Sequence, residues 1–401
     1  MTGIPVNGGR GVTLRAARAF DGVHVLDGPV AVTVEDGMIV SVETGPGAAA
    51  RPADVDLGDC TLLPGLIDTH THLVWDASAA PQDRVALDAP ERTVLRAAAH
   101  AMRHLRAGET TVRDLGATGA LSVPLAQAIA DGDVPGPRVV PAGRAIAMTG
   151  GHGWSLCHEA DGPDAVRAAV RSEIKGGARA IKLIASGGVY GEHERPEEPQ
   201  LSRAEVEVAV EEAHKAGCRV AAHAYSPEVI GMLLDVGVDS IEHGSLLDAR
   251  TAERMREQGV ALVPTLCVFD AIHGAYADRP GSPIAAKAAE IRSKALAACR
   301  VAAENGVTIA VGTDSGAPGN PHGSVAQEMR LMVEAGLSPA EALHAATGAA
   351  AEVVGLAGTA GRLAKGRPAD LVAYRGDPAA EVDAVRDVAL VMLGGRVVDD
   401  A

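Results

Sequence analysis

From about residue 62 onward, short apolar runs with β character alternate with Ala-rich, charged segments of helical period. This alternation restricts the chain to few folds. The runs are Leu62–Leu73, Thr110–Leu115, Arg138–Ile146, Ala180–Ser186, Arg219–Tyr225, Asp239–Ser245, Ala261–Cys267 and Thr308–Asp314. Segments such as Asp164–Gly176 and Arg203–Gly217 lie between them. Eight strands alternating with helices predict an α/β fold, a closed parallel (β/α)8 TIM barrel. An open doubly wound sheet is the alternative, but the Gly-rich dinucleotide fingerprint is missing after the first strand.

The chain ends read differently. Ala31–Val34 and Met38–Val42 flank Glu35-Asp36-Gly37, a hairpin signal. Asp370–Tyr374 and Val388–Leu393 are apolar runs, and Gly394-Gly395 turns the second into Arg396–Val398. The expected organisation is a small β-sandwich domain from residues 1–61 and 360–401, with the barrel, 62–359, inserted between its halves. A length of 401 residues suits a barrel plus a satellite.

Composition excludes several classes. The chain carries 36 Lys and Arg against 52 Asp and Glu, a formal charge of −16 with no basic stripe, so no nucleic-acid partner is expected. No run reaches the ~18 apolar residues of a membrane helix. Met1–Thr13 lacks a basic region followed by an apolar run, so no signal peptide is expected. The cysteines, Cys60, Cys157, Cys218, Cys267 and Cys299, are far apart and never paired as CxxC. They read as reduced thiols of a cytoplasmic protein. Aromatic residues make up only 2% of the chain, so the core must be built from Ala, Val, Leu and Ile.

Polar residues fall where strands end, which in a barrel is where ligands bind. His70 and His72 close the first run, and a spacing of two puts both imidazoles on one strand face. His223 closes the fifth run, His243 the sixth and Asp314 the eighth. Singly, each has a plain reading: a satisfied core histidine, or a helix-capping aspartate. Together they point to a metal site, because imidazole and carboxylate are metal ligands. Lys182, in Ala180-Ile181-Lys182-Leu183-Ile184, points inward if its neighbours pack outward. A buried ammonium must be paired with an acid or discharged, for example by carboxylation.

This set resembles the amidohydrolase superfamily over nearly the whole chain. His70 and His72 look like its HxH, Lys182 like its carboxylated lysine, His223 and His243 like its later histidines, and Asp314 like its catalytic aspartate. Gly361–Leu371 is similar to the family's return into its β-domain. Gly150-Gly151-His152-Gly153 and Ser186-Gly187-Gly188-Val189 resemble a branch of metal-dependent carboxypeptidases and Xaa-Pro dipeptidases that lies near the imidazolonepropionases.

The resemblance implies two divalent metals, with zinc suiting the ligands. His70, His72 and Asp314 would hold one and His223 and His243 the other, with carboxylated Lys182 and a hydroxide between them. Asp314 would move the proton, and Tyr225 could steady the oxyanion or merely shape the rim. His152, and more weakly His322 in Asn320-Pro321-His322-Gly323, would contact the substrate. The implied substrate is a small peptide-like or N-acyl amino-acid amide. Opening of a cyclic amide, tailoring of a modified peptide and a non-catalytic metal-binding barrel are the alternatives. Deamination fits less well, because Glu228 lies five residues after His223 rather than about three. The charged run Tyr190–Gln200 is either a solvated loop or a loop that selects substrates. Barrels of this type often form homo-oligomers, but no feature here fixes a number.

Overall fold

A computed structural model of the chain describes residues 11–191, 193–279 and 281–398. Met1–Arg10, where the absence of a leader was read, and Glu192 of the charged run lie outside the described residues. Two parallel sheets form the body. One has three strands, in the order Arg138–Pro141, Glu109–Asp114, Leu66–Thr71. The other runs Cys157–Glu159, Ala145–Ala147, Ala180–Ile184, Arg219–Ala224, Ser240–His243, Ala261–Val263. Helices cover them with apolar faces. In Pro163–Gly176, Val166, Ala169, Val170 and Glu173 are the buried positions, a helical spacing that matches the sequence pattern.

Segment 308–315 spans the two sheets without being a strand. Leu262 N donates to Thr308 O (2.9 Å) on one side, and Thr69 N to Val311 O (3.0 Å) on the other. Only isolated bridges, Leu262 with Ile309 and Thr71 with Ser315, replace the eighth strand expected over Thr308–Asp314. Asp314, at φ 56°, leaves extended geometry at the end of the segment. Gly312 allows the close passage, since a Cβ there would lie 2.4 Å from Val263 Cγ1 and 2.8 Å from His70 Cβ.

Three other expected runs are cut short by backbone constraints. Leu62–Leu73 divides at Gly65, where a Cβ would lie 2.0 Å from Thr110 Oγ1. Cys60–Pro64 pairs antiparallel with Leu371–Arg375, and Leu66–Thr71 pairs parallel with Glu109–Asp114. The strand therefore crosses the division expected at residue 61. Arg138–Ile146 divides at Gly143, whose φ is 72°. Ala261–Cys267 ends as a strand at Val263; Thr265, at φ 49°, turns the chain into the helix Leu266–Ala275. Glu328 accepts from Leu266 N (2.7 Å) and Cys267 N (2.8 Å), so that helix start is satisfied by a buried carboxylate.

Both chain ends contribute to a second region. A four-stranded sheet, Met38–Thr44, Val30–Glu35, Val12–Ala16 and Val55–Asp56, includes the expected hairpin. A six-stranded sheet combines Arg18–Phe20, Val25–Leu26 and Cys60–Pro64 with Leu371–Arg375, Val388–Leu393 and Arg396–Val397. Leu14, Val32, Ile39, Leu62, Leu371 and Met392 form their shared apolar cluster. No described helix is long and apolar enough to cross a membrane.

An ion pair sits deep in the parallel sheets. Arg113 Nη2 donates to Glu242 Oε1 (2.9 Å) and Arg113 Nε to Thr69 O (2.6 Å), and both side chains are buried. Removing one partner leaves an uncompensated buried charge. Arg113→Met should lower the free energy of unfolding by about 3–5 kcal/mol in urea titrations. An unchanged midpoint and slope would contradict this reading.

Candidate active site

Buried imidazoles converge at the C-terminal ends of the strands, each with one nitrogen already committed. His70 Nδ1 donates to Glu242 Oε2 (2.8 Å), His72 Nδ1 to Gly116 O (3.0 Å) and His223 Nε2 to Gly187 O (3.0 Å). Carboxylates and carbonyls only accept, so each of these three nitrogens carries a proton. His243 Nδ1 bonds Thr265 Oγ1 (2.7 Å). The second nitrogens of His70 and His72 face Asp314. His70 Nε2 lies 3.7 Å and His72 Nε2 3.3 Å from Asp314 Oδ1. The His243 ring lies 5.2 Å from that of His70, tilted, and 4.6 Å from that of His223, edge-on. Imidazoles oriented by outer acceptors are the usual arrangement around a metal.

Lys182 completes the cluster. Its Nζ is buried and is an amine without a hydrogen-bond partner among the described residues. Burial pulls its pKa down to about 8, against the pull of Glu242 and Asp314. The same burial drives His70, His223 and His243 well below the ordinary imidazole range, so they stay neutral, as ligands must. Burial opposes ionisation of Asp314, but its interactions with His70, His72 and Lys182 outweigh it and hold the group below the usual carboxylate range. His70, His243 and Asp314 offer donor atoms all within 4.8 Å of one another. An orphaned buried amine in one cavity with four imidazoles and a carboxylate fits divalent metals.

Tyr225 is buried and stacked on His243 (5.3 Å, 8° between planes). Burial raises its pKa well above 10, so it remains a phenol that can donate. His152 lines the same cavity, its ring 4.7 Å from His223. His322 does not reach the cavity. Its Nε2 donates to Trp75 O (2.8 Å), and its Nδ1 bonds His104 Nε2 (3.0 Å). It belongs to a buried polar network behind the site, with His104, Glu109 and Asp68; the Asn-Pro-His-Gly turn folds inward rather than over the rim. Donor atoms of Asp68, His104 and Glu109 also cluster, but they hold one another and Thr313 instead of opening on a cavity. Glu228 is exposed in the first turn of helix Pro227–Val236, away from the site.

Two residues that sequence reasoning did not single out support the site. Glu242 orients His70, and its only signal was a carboxylate beside His243 in a fully buried strand. Glu194 was one acid among several in the charged run. Its Oε2 accepts from His152 Nδ1 (2.6 Å) and from Gly188 N (3.0 Å). Burial opposes its ionisation, yet the bond to His152 keeps its pKa lowered. Gly188 is required, since a Cβ there would strike the His152 ring at 2.2 Å. Glu197 and Glu198 remain exposed.

A family model described as "Amidohydrolase family" matches residues 61–398. The chain belongs to the amidohydrolase family. The ochratoxinase of Aspergillus niger is 33% identical over 368 residues, covering 84% of this chain and 75% of that protein. The imidazolonepropionase of Symbiobacterium thermophilum is 28% identical over 374 residues, covering 86% and 80%. Among solved structures, a Xaa-Pro dipeptidase with methionine bound in its active site superposes with a TM-score of 0.88 at 29% identity, covering 97% of this chain and 100% of that one. These likenesses bear out the family and branch read from the sequence, and they make the parallel α/β body TIM-barrel-like. This amidohydrolase is a hydrolase acting on amide bonds.

Glu194→Gln should lower kcat/KM for amide hydrolysis ~10–100-fold, the value of a charge-assisted hydrogen bond, with metal content unchanged. Wild-type kinetics in this variant would show that the Glu194 contact is incidental.

Proposed function

We propose that this amidohydrolase is a binuclear metal-dependent enzyme, cleaving the amide of a small peptide-like or N-acyl amino-acid substrate. The observation that carries the reading is one cavity lined by four imidazoles, each with one nitrogen bonded, together with Lys182 and Asp314, the second nitrogens of His70 and His72 facing Asp314. His70, His72 and Asp314 would hold one metal and His223 and His243 the other. Lys182 would bridge them after its neutral amine adds to carbon dioxide, forming a carbamate and releasing a proton. Zinc suits imidazole and carboxylate ligands. We further propose that 62–359 closes as a (β/α)8 barrel, with the chain-end sheets packed as a β-sandwich.

Bound there, divalent metals supply a water that ionises near neutral pH and a Lewis acid for the carbonyl. Asp314, held ionised, takes the proton of the attacking water and passes it to the leaving nitrogen. Its carboxylate lies beside His70 and His72, where that transfer must occur. Tyr225 donates to the developing oxyanion as a neutral phenol. With Nδ1–H fixed on Glu194, Nε2 is the atom that His152 offers to the substrate.

The ochratoxinase and Xaa-Pro dipeptidase likenesses favour an acyclic amide; the imidazolonepropionase likeness keeps cyclic amides in the assay. Chelated enzyme should be inactive on dipeptides and N-acyl amino acids and regain activity with zinc. Asp314→Asn should reduce kcat ~10²–10⁴-fold, the contribution of general acid–base catalysis. Hydrolysis untouched by chelation, or cleavage restricted to cyclic amides, would overturn the respective part of the proposal.

A further inference from the structure

The chain has two Trp, four Tyr and two Phe in 401 residues. Six of these eight rings line one continuous space. Trp75, Tyr190, Tyr225 and Phe269 line the cavity over the imidazole cluster. Trp75, Trp154, Tyr190 and Tyr276 line the vestibule outside it, which shares Trp75, His152, Gly153 and Tyr190 with that cavity. Only Phe20 and Tyr374 lie elsewhere, both buried. Trp75, Tyr225, Phe269 and Tyr276 are also buried in the main apolar cluster, with Tyr190 packed against it, so these rings form the wall between the core and the cavity.

The rings touch in series. Tyr276 meets Tyr190 at 6.3 Å, Tyr190 meets Trp75 at 6.2 Å, and Trp75 meets His72 at 5.4 Å. These edge and tilted contacts join the rings into one aromatic wall, in which Tyr276 and Trp75 are buried and Trp154 is exposed. The phenol hydroxyls are already used: Tyr190 donates to Gln82 Oε1, and Tyr276 to Ala79 O (2.9 Å). What the vestibule offers is therefore ring surface rather than hydroxyl chemistry. Trp154, on the vestibule wall, is 57% exposed. Arg279 stacks over Tyr276, 4.5 Å from the ring centroid, and adds a planar cation to the same wall.

We infer that the substrate amide carries a planar aromatic group on one side, held in the vestibule among Trp75, Trp154, Tyr190 and Tyr276 while the amide reaches the imidazole cluster. This rests on the amide-hydrolysis reading of the inner cavity and names the class of substrate it would take. Aliphatic dipeptides would enter but leave the vestibule unfilled.

Matched probes separate the two readings. Kinetics would compare N-(2-naphthylacetyl)-L-alanine and L-alanyl-(2-naphthylmethyl)amide, whose methylene insulates the amide from the ring, with their saturated decahydronaphthyl counterparts on the metal-loaded enzyme. Calorimetry would compare the non-cleavable N-(2-naphthylsulfonyl)-L-alanine with its saturated counterpart. At least one naphthyl amide should exceed its saturated partner ~10-fold or more in kcat/KM, and the naphthyl sulfonamide should bind more tightly by a similar factor. That preference should fall ~3–10-fold in Trp154→Ala, whose exposed site leaves folding intact, and in Tyr276→Leu. Equal affinity of naphthyl and saturated probes, or a preference unchanged in both variants, overturns the inference even if every amide is hydrolysed. Tight naphthyl binding without cleavage of any amide supports the aromatic subsite and instead sinks the hydrolytic reading of the cavity.

Discussion

Glu242 is the group on which the site's order depends. Its carboxylate is buried and has three partners: Arg113 Nη2 (2.9 Å), His70 Nδ1 (2.8 Å) and the hydroxyl of Ser240 (2.6 Å). A buried anion is tolerable only with partners of this kind. It thereby ties the strands Leu66–Thr71, Glu109–Asp114 and Ser240–His243 at one point. It also fixes which nitrogen His70 turns towards Asp314. The charge that would destabilise an apolar interior is the one that sets the tautomer a ligand needs.

Backbone strain gathers around the same place. His243, Thr265 and Asp314 adopt φ values of 72°, 49° and 56°, in a region that side chains other than glycine seldom occupy. Each such residue costs about 1–3 kcal/mol and persists only where its surroundings over-determine it. They do so here. Asp314 N donates to His70 O (2.7 Å), and Asp68 accepts from both Thr313 N (3.0 Å) and Thr313 Oγ1 (2.6 Å). His243 is held by Thr265, itself strained, through the 2.7 Å bond between their side chains. The strain turns Asp314 and His243 out of the strand direction and towards one another.

Much of this was legible in the sequence because the decisive groups are isolated polar residues at the ends of apolar runs. His70, His72, Lys182, His223, His243 and Asp314 stand out for that reason, and the structure gathers them in one cavity. Supporting partners were harder to see. The bond between His152 and Glu194 joins residues 42 positions apart, and the acids around Glu194 conceal it. His322 misled because a Pro-Gly turn looks like a rim loop, whereas both of its nitrogens are taken up behind the site. Strand ends were misjudged where one backbone position decides: Gly65, Gly143, Thr265 and Asp314 each stop an apolar pattern that would otherwise continue. The gathering of aromatic rings around the cavity was beyond the sequence, since they are scattered from residue 75 to residue 276.

The central claim is that Lys182 and the imidazoles form one binuclear centre, and metal content tests it most directly. Protein prepared with bicarbonate would be analysed for bound metal beside Lys182→Ala. The account predicts about two metals per wild-type chain and a clear fall in the variant, because the bridging ligand is lost. One metal or none in the wild type, unaffected by the substitution, would contradict it.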